Sequence, residues 1–362
     1  MSESQKTVIL DAMGGDHGPS VCVEGAIQAV TEVEYPLRVT LVGDEPVLRA
    51  ELRKHHIGTD KIHVEHAPDV VSMRDPATDG IRKKDSSIGI AMRLLRDGEG
   101  DAVVSTGNTG AVMAAGLAYL GRLEGVSRPA IATLFPTQTG KALLADVGAN
   151  PVCKAQNILE FAVMGSIYIQ NELDIERPRV GLLSIGEEPT KGNDLIIKCN
   201  PILASSQINF IGNIEGRDIL KGRADVIVCD GFVGNILLKF AESLEGFLTN
   251  AVRKQISRNY FSHAGAILMG PFLRRMRRTF DYAEYGGAPL LGLNGMCMIC
   301  HGSSSPKAIR NAIWASERGY DHHVNRKIVD ALKRENRVME NGNGAAAEPP
   351  PAAVETRSAT GG

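Results

Sequence analysis

The residues best suited to chemistry in this chain lie in a set of glycine-rich polar turns: Asp11–Pro19 (DAMGGDHGP), Ser105–Gly110 (STGNTG), Asp146–Pro151 (DVGANP), Ile185–Asn193 (IGEEPTKGN) and Asp230–Asn235 (DGFVGN). A fold needs one or two such turns for geometry, whereas this many, all polar, suggest the rim of one shared pocket. Backbone amides at Gly14, Gly15, Gly107, Asn108 and Gly186 can form concave anion-binding nests, and Thr106, Thr109 and Ser303 to Ser305 offer hydroxyl donors. Asp16, Asp146, Asn150 and Glu187 share the same candidate rim. Lys191, in a glycine-bounded turn, can add the charge a phosphate requires, its plainer role being that of a solvated surface lysine. His17 reads as a base or a phosphate donor; His301 reads as a second one or as a structural hydrogen-bonder. The chemistry these types suit is the gripping of a phosphate-like anion.

The stretch Ala224–Lys239 shows how such residues are positioned. Its first half is a short apolar run rich in β-branched residues, which suits a parallel strand; Asp230 and Gly231 break it, and an apolar pattern of helical spacing begins at Asn235. Ile236, Leu237, Phe240, Ala241 and Leu244 are able to share one helical face. Strand, polar turn and helix in that order place Asp230 and Asn235 at the carboxyl end of a strand, where open α/β sheets hold ligands. The same turn also fits a plain connector with an asparagine cap.

Apolar runs recur along the chain at Thr7–Leu10, Arg38–Val42, Ile62–Glu65, Ala102–Val104, Ala130–Phe135, Ala142–Asp146, Arg179–Ile185, Ile208–Ile211, Ala288–Gly292 and Met296–Cys300, with helical patterns between most of them. This alternation predicts an α/β fold with a largely parallel, twisted sheet. Residues 1–339 read as one catalytic domain with a helical hairpin insertion at about 240–281, and the tail 340–362, nearly free of large apolar residues, as disordered. The hairpin's second part pairs an apolar face (Phe272, Met276 and Phe280, at i, i+4 and i+8) with Arg274, Arg275, Arg277 and Arg278, and Leu268 and Met269 precede it as further contact residues, a pattern that fits packing on a core, an anionic membrane surface or an acidic protein partner.

Composition narrows the class. Of the 362 residues 43% are hydrophobic, and the formal net charge of −2 argues against a protein built around nucleic acid. Six scattered cysteines follow no disulfide spacing and suit a reducing cytoplasm, and the N-terminus lacks a signal-peptide core. There is no P-loop, no G-x-G-x-x-G fingerprint and no G-x-S-x-G elbow. Cys297-Met-Ile-Cys-His301 matches a haem-attachment pattern, but it reads as a buried strand without a second ligand pair, so no metal is expected.

Together with Glu215–Asp218 (EGRD), Gly286–Gly292 (GGAPLLG) and Cys300–Ser304 (CHGSS), the glycine-rich turns resemble those of the bacterial phosphate acyltransferases of phospholipid synthesis, the PlsX family, in the same order from about Val8 to Ala331. The resemblance implies a Rossmann-like sheet related to the isopropylmalate dehydrogenase and phosphotransacetylase folds, a homodimer, and no cofactor. It implies transfer of a fatty acyl group from acyl carrier protein to inorganic phosphate, giving acyl phosphate for a downstream glycerol-3-phosphate acyltransferase. It maps catalysis onto Lys191 and Asn235, and peripheral contact with the inner face of the membrane onto residues around Arg253–Thr279. Two alternatives stand beside it: acetyl or butyryl transfer between coenzyme A and phosphate, and a non-enzymatic membrane adaptor.

Overall fold

In a computed structural model, which describes residues 5–55, 59–256, 269 and 286–343, the apolar runs pair into a sheet of eleven strands. These are β1 (Lys6–Asp11), β2 (Leu37–Gly43), β3 (Ile62–His66), β4 (Ala102–Ser105), β5 (Ala130–Thr137), β6 (Gly140–Ala145), β7 (Arg179–Ser184), β8 (Asn209–Glu215), β9 (Val226–Val228), β10 (Ala288–Leu291) and β11 (Met296–Ile299), in the spatial order β3-β2-β1-β4-β11-β10-β5-β6-β9-β7-β8. The described helices are α1 (Pro19–Thr31), α2 (Glu45–Arg53), α3 (Asp79–Arg82), α4 (Ser87–Arg96), α5 (Thr109–Tyr119), α6 (Ala155–Glu172), α7 (Asp194–Ser205), α8 (Gly231–Ile256), α9 (Pro306–Asp321) and α10 (Val324–Asn343). They cover the sheet's apolar residues, and α6, with Ile158, Leu159, Phe161 and Ala162 almost wholly buried, forms the spine of one core.

Two parallel groups meet in the middle. The strands β3, β2, β1, β4 and β11 run one way and β6, β9, β7 and β8 run together on the other side; β10 and β5 join them by antiparallel pairing at every step. Three antiparallel steps reverse the direction, so the two groups point oppositely. The register decides what that does. Ile299, the last residue of β11, is opposite Ala288, the first of β10; Leu290 is opposite Ile131 near the start of β5; Ala132 is opposite Ala145, the last residue of β6. Both groups therefore end at nearly the same level along the strand direction, and their carboxyl ends, where ligands collect in open α/β sheets, face one another across the junction.

Several expectations change in detail. Helix α8 begins at Gly231, four residues before Asn235, because the Asp230 carboxylate accepts hydrogen bonds from the amides of Phe232 and Val233, both at 3.0 Å, and so starts the helix itself. Asn235 consequently sits in the second turn. The packed face of α8 is Val233, Leu237, Leu238 and Ala241, whereas Ile236 and Phe240, expected on that face, are exposed beside Phe232 and Phe247. Two neighbouring stripes of apolar residues at i, i+4 and i+8 are equivalent by periodicity, and only packing selects one. Helix α10 continues to Asn343, past the expected start of the tail. Of the expected hairpin contacts, Leu268, Phe272, Arg274, Arg275, Arg277 and Arg278 lie outside the described residues; Met269 is exposed. Among the described residues no helix is long and apolar enough to cross a membrane.

Candidate active site

The turns after β1, β4 and β11 are locked into one unit. The Ser105 hydroxyl donates to the buried Asp11 carboxylate at 2.7 Å and accepts the Gly107 amide at 3.0 Å. Burial pushes the Asp11 carboxyl above its ordinary range. The Asp16 amide donates to the Gly302 carbonyl at 2.8 Å, and Cys300 N–H to Ser105 O at 2.8 Å. A Cβ on Gly14 would lie 2.4 Å from Gly107 Cα, so only glycine permits the turns after β1 and β4 to approach this closely. Gly15 lies against Thr106 and Gly302 in the same way, and Thr106 is buried with its hydroxyl 3.6 Å from Cys22 Sγ. His17 and the Asp16 side chain are exposed at the edge of this unit.

Helix α5 starts at its tip. Asn108 caps it by accepting the Ala111 amide at 3.1 Å, and its own NH2 donates to the carbonyls of Met73 (3.3 Å) and Asp75 (3.0 Å), so both ends of that side chain are committed to structure. The amides of Thr109 and Gly110, in the first helical turn, have no acceptor within the helix. After β11, His301 Nδ1 accepts the Ser303 amide at 3.2 Å and lies 2.7 Å from Ser303 Oγ, which places the ring proton of a neutral imidazole on Nε2. Next to it, Ser304 is 3% exposed and its hydroxyl has no hydrogen-bond partner among the described residues.

The facing group contributes the turns after β6 and β9. Asp146, fully buried, accepts at Oδ1 from the amides of Ile131 (3.1 Å), Gly148 (3.2 Å) and Ala149 (3.1 Å), and at Oδ2 from the Asn150 amide (2.6 Å) and side chain (3.0 Å). Asn150 donates also to Pro129 O at 2.7 Å. Burial raises the Asp146 carboxyl while these donors pull it back down. Asp146, Asn150 and Asp230, expected at the phosphate, thus spend their polar atoms on shaping the turns. Gly234 packs on the Asp146 carbonyl so closely that a Cβ there would overlap it, which brings α8 against the turn and sets Asn235 beside Gly148.

Between the two sets of turns lies a cavity of about 570 Å³. Its polar wall holds Thr109, Asn235, Lys239, His301, Ser303 and Ser304; its apolar wall holds Met113, Ile131, Val147, Leu238, Ala288 and Ile299. Asn235 and Lys239 stand one helical turn apart on α8, and Lys239 Nζ is 2.9 Å from Glu242 Oε2, also in the lining. Among the described residues nothing hydrogen-bonds the Asn235 amide group, which leaves it available to a ligand. The structure therefore brings together Thr109, Asn235, His301 and Ser303. It does not bring Lys191 into this lining: the β7–α7 loop is held by the Lys191 amide to Glu188 O (3.0 Å) and Ser184 Oγ to Lys191 O (3.1 Å), with the Lys191 side chain exposed. In the same loop Gly186 is buried against the Lys191 side chain and Glu187 pairs with Arg223 at 2.6 Å. The Gly107 amide, expected in an anion nest, is used by Ser105. Lys239 and Glu242 escaped the sequence reading, although the i, i+4 spacing from Asn235 was there to be followed.

Cys297 is buried in β11 and Cys300 just after it, and burial pushes the Cys297 thiol up to about 12, so the C-x-x-C-H run is part of the core.

The profile of the family described as "Fatty acid synthesis protein" matches residues 6–327. The chain is 47% identical over 329 residues to the phosphate acyltransferase of Geobacter sulfurreducens, covering 91% of this chain and 94% of that one, and 50% identical over 326 residues to the phosphate acyltransferase of Citrifermentans bemidjiense, covering 90% and 92%. Among solved structures it shares its fold with the EutD phosphotransacetylase from Staphylococcus aureus (TM-score 0.57, 15% identity, 88% of this chain and 95% of that one) and a branched-chain phosphotransacylase from Enterococcus faecalis (TM-score 0.55, 15% identity, 88% and 100%). Fold and sequence thus define an acyltransferase with a mixed, mostly parallel α/β sheet. The chain belongs to the phosphate acyltransferase family, the PlsX family.

Proposed function

We propose that this enzyme moves a fatty acyl group from the thioester of acyl carrier protein onto inorganic phosphate, releasing acyl phosphate for phospholipid synthesis. The observation that carries the reading is the two-sided cavity: an anion corner and an apolar wall within one space of about 570 Å³. In the corner, the first-turn amides of α5 and the partnerless Ser304 hydroxyl are oriented donors for a phosphate, and a helix start favours negative charge. Phosphate is already a nucleophile at neutral pH, so positioning is the main task. One of its oxygens attacks the thioester carbonyl carbon; Asn235 donates to the oxyanion of the tetrahedral intermediate; the C–S bond breaks and the carrier leaves as a thiolate that takes a proton from water. The acyl chain lies along Met113, Ile131, Leu238 and Ile299. Lys239 is the cation in the cavity wall, and Lys191 acts from the adjoining rim. In this reading the chain works as a homodimer, with Arg274, Arg275, Arg277 and Arg278 docking on the anionic inner face of the membrane near the glycerol-3-phosphate acyltransferase; their clustering without acidic residues is its support.

The test is phosphate-dependent thiol release from a long-chain acyl carrier protein thioester, run beside acetyl and butyryl coenzyme A. Release from the carrier thioester, with the phosphate KM raised about tenfold by Ser304→Ala, is expected. Release from the short coenzyme A esters alone would overturn the donor assignment, and release from none would overturn the reading.

A further inference from the structure

A second, smaller cavity of about 200 Å³ opens at the opposite edge of the sheet, by the amino ends of β7 and β8, between α6 and α10. At roughly 30 Å³ per liquid water it has the volume of about six or seven waters, and its ligand must be small. Two buried polar groups form its floor. Ser166 on α6 is only 8% exposed and its hydroxyl has no hydrogen-bond partner among the described residues; Glu335 on α10 is 4% exposed and accepts the Gln207 amide at 2.9 and 3.2 Å, which leaves lone pairs over on both oxygens. Burial holds the Glu335 carboxyl above its ordinary range, as expected of a carboxylate short of donors. The exposed arginines Arg177 and Arg334 also line the cavity; among the described residues neither forms a close ion pair, and the positive charge of Arg334 offsets part of the effect of burial on Glu335. The Arg177 side is fixed by two side-chain clamps: Asn209 Nδ2 donates to Arg177 O at 3.1 Å and Gln170 Nε2 to Glu176 O at 2.8 Å.

This polarity orders a ligand. A carboxylate at the floor repels an anion and accepts from hydroxyl groups, and the Ser166 hydroxyl can pair with one more. Guanidinium forks at the mouth match phosphate oxygens. We propose that this cavity is a binding site, separate from the active site, for a small hydroxylated phosphomonoester, held with its phosphate against Arg177 and Arg334 and its hydroxyls on Glu335 and Ser166. The site lies at the strand ends remote from the acyl-transfer cavity, so its occupancy does not depend on the catalytic reading.

Calorimetric titration of the full chain with glycerol 3-phosphate, inorganic phosphate, glycerol and glycine tests this. Glycerol 3-phosphate is expected to bind more tightly than either fragment. Arg334→Gln, Glu335→Gln and Ser166→Ala should each weaken that binding, the first two by about tenfold or more, while Ser304→Ala in the other cavity leaves it unchanged. Glu335→Gln keeps an acceptor for the Gln207 amide; if it nevertheless fails to fold, the exposed Arg334 carries the comparison. Absence of binding by glycerol 3-phosphate at millimolar concentration, or affinity indifferent to all three variants, overturns the proposal. Preferential binding of the zwitterion glycine, lost in Glu335→Gln, overturns the ligand class.

Discussion

Asn235→Ala separates chemistry from structure at this site. The Asn235 side chain is exposed on the cavity wall beside Gly148 and has no hydrogen-bond partner among the described residues. Truncation therefore leaves no buried donor stranded, and alanine is the better helix former by roughly 0.5 kcal/mol, so stability should stay within about 0.5 kcal/mol of the parent. If the amide donates to the oxyanion, its loss costs about 3 kcal/mol of transition-state stabilisation, about 100-fold in kcat. Because the contact strengthens only as the oxyanion forms, KM for thioester and for phosphate should move little. The assay is steady-state thiol release against both substrates, with thermal unfolding alongside. A kcat within about threefold of the parent's at unchanged Tm would refute the role, since an oxyanion donor cannot be worth so little. A loss of activity matched by a fall in Tm would refute the claim that the residue is structurally idle.

Other outcomes follow from the same geometry. Asp146→Asn sets an NH2 against amides that now donate to a carboxylate, and should cost about 3 kcal/mol or more in urea unfolding, with activity lost through the turn and not through substrate contact. Gly14→Ala places a methyl 2.4 Å from Gly107 Cα, where backbone must give way; a destabilisation of about 1–3 kcal/mol is expected, with a raised phosphate KM as the β1 and β4 turns part. Lys239→Ala should raise the phosphate KM more than Lys191→Ala does, because only Lys239 lines the cavity; the reverse order would move the working cation to the rim. Acid should loosen the loop under α5. The hydrogen bond from Lys83 holds the Asp75 carboxyl down at about 2 against 3.8 ordinarily, so its stabilisation is complete above the ordinary value and lost as pH falls towards 2. Amide exchange at Ser72–Asp75 should quicken across that window.

The apolar runs determined most strands to within a residue or two, because a strand covered on both faces needs an unbroken apolar segment, and Val8–Leu10, Leu143–Ala145 and Val226–Val228 are wholly apolar and buried. The polar turns after them marked the ligand edge for a similarly local reason: glycines are required wherever two backbones nearly touch, as Gly14 and Gly107 do. The family likeness was carried by those same turns. What sequence could not decide was which polar atoms remain free once the chain has folded. Asp146, Asp230 and Asn108 look like ligands as residue types and are consumed by neighbouring amides, while Ser304, one serine among three, ends with a buried hydroxyl and no partner among the described residues. Nor could it decide that the two carboxyl edges face each other, since that depends on the antiparallel register of β10 and β5 between strands far apart in the chain. Turn chemistry is local and legible; hydrogen-bond satisfaction and strand register are sums over distant contacts, which only the assembled sheet fixes.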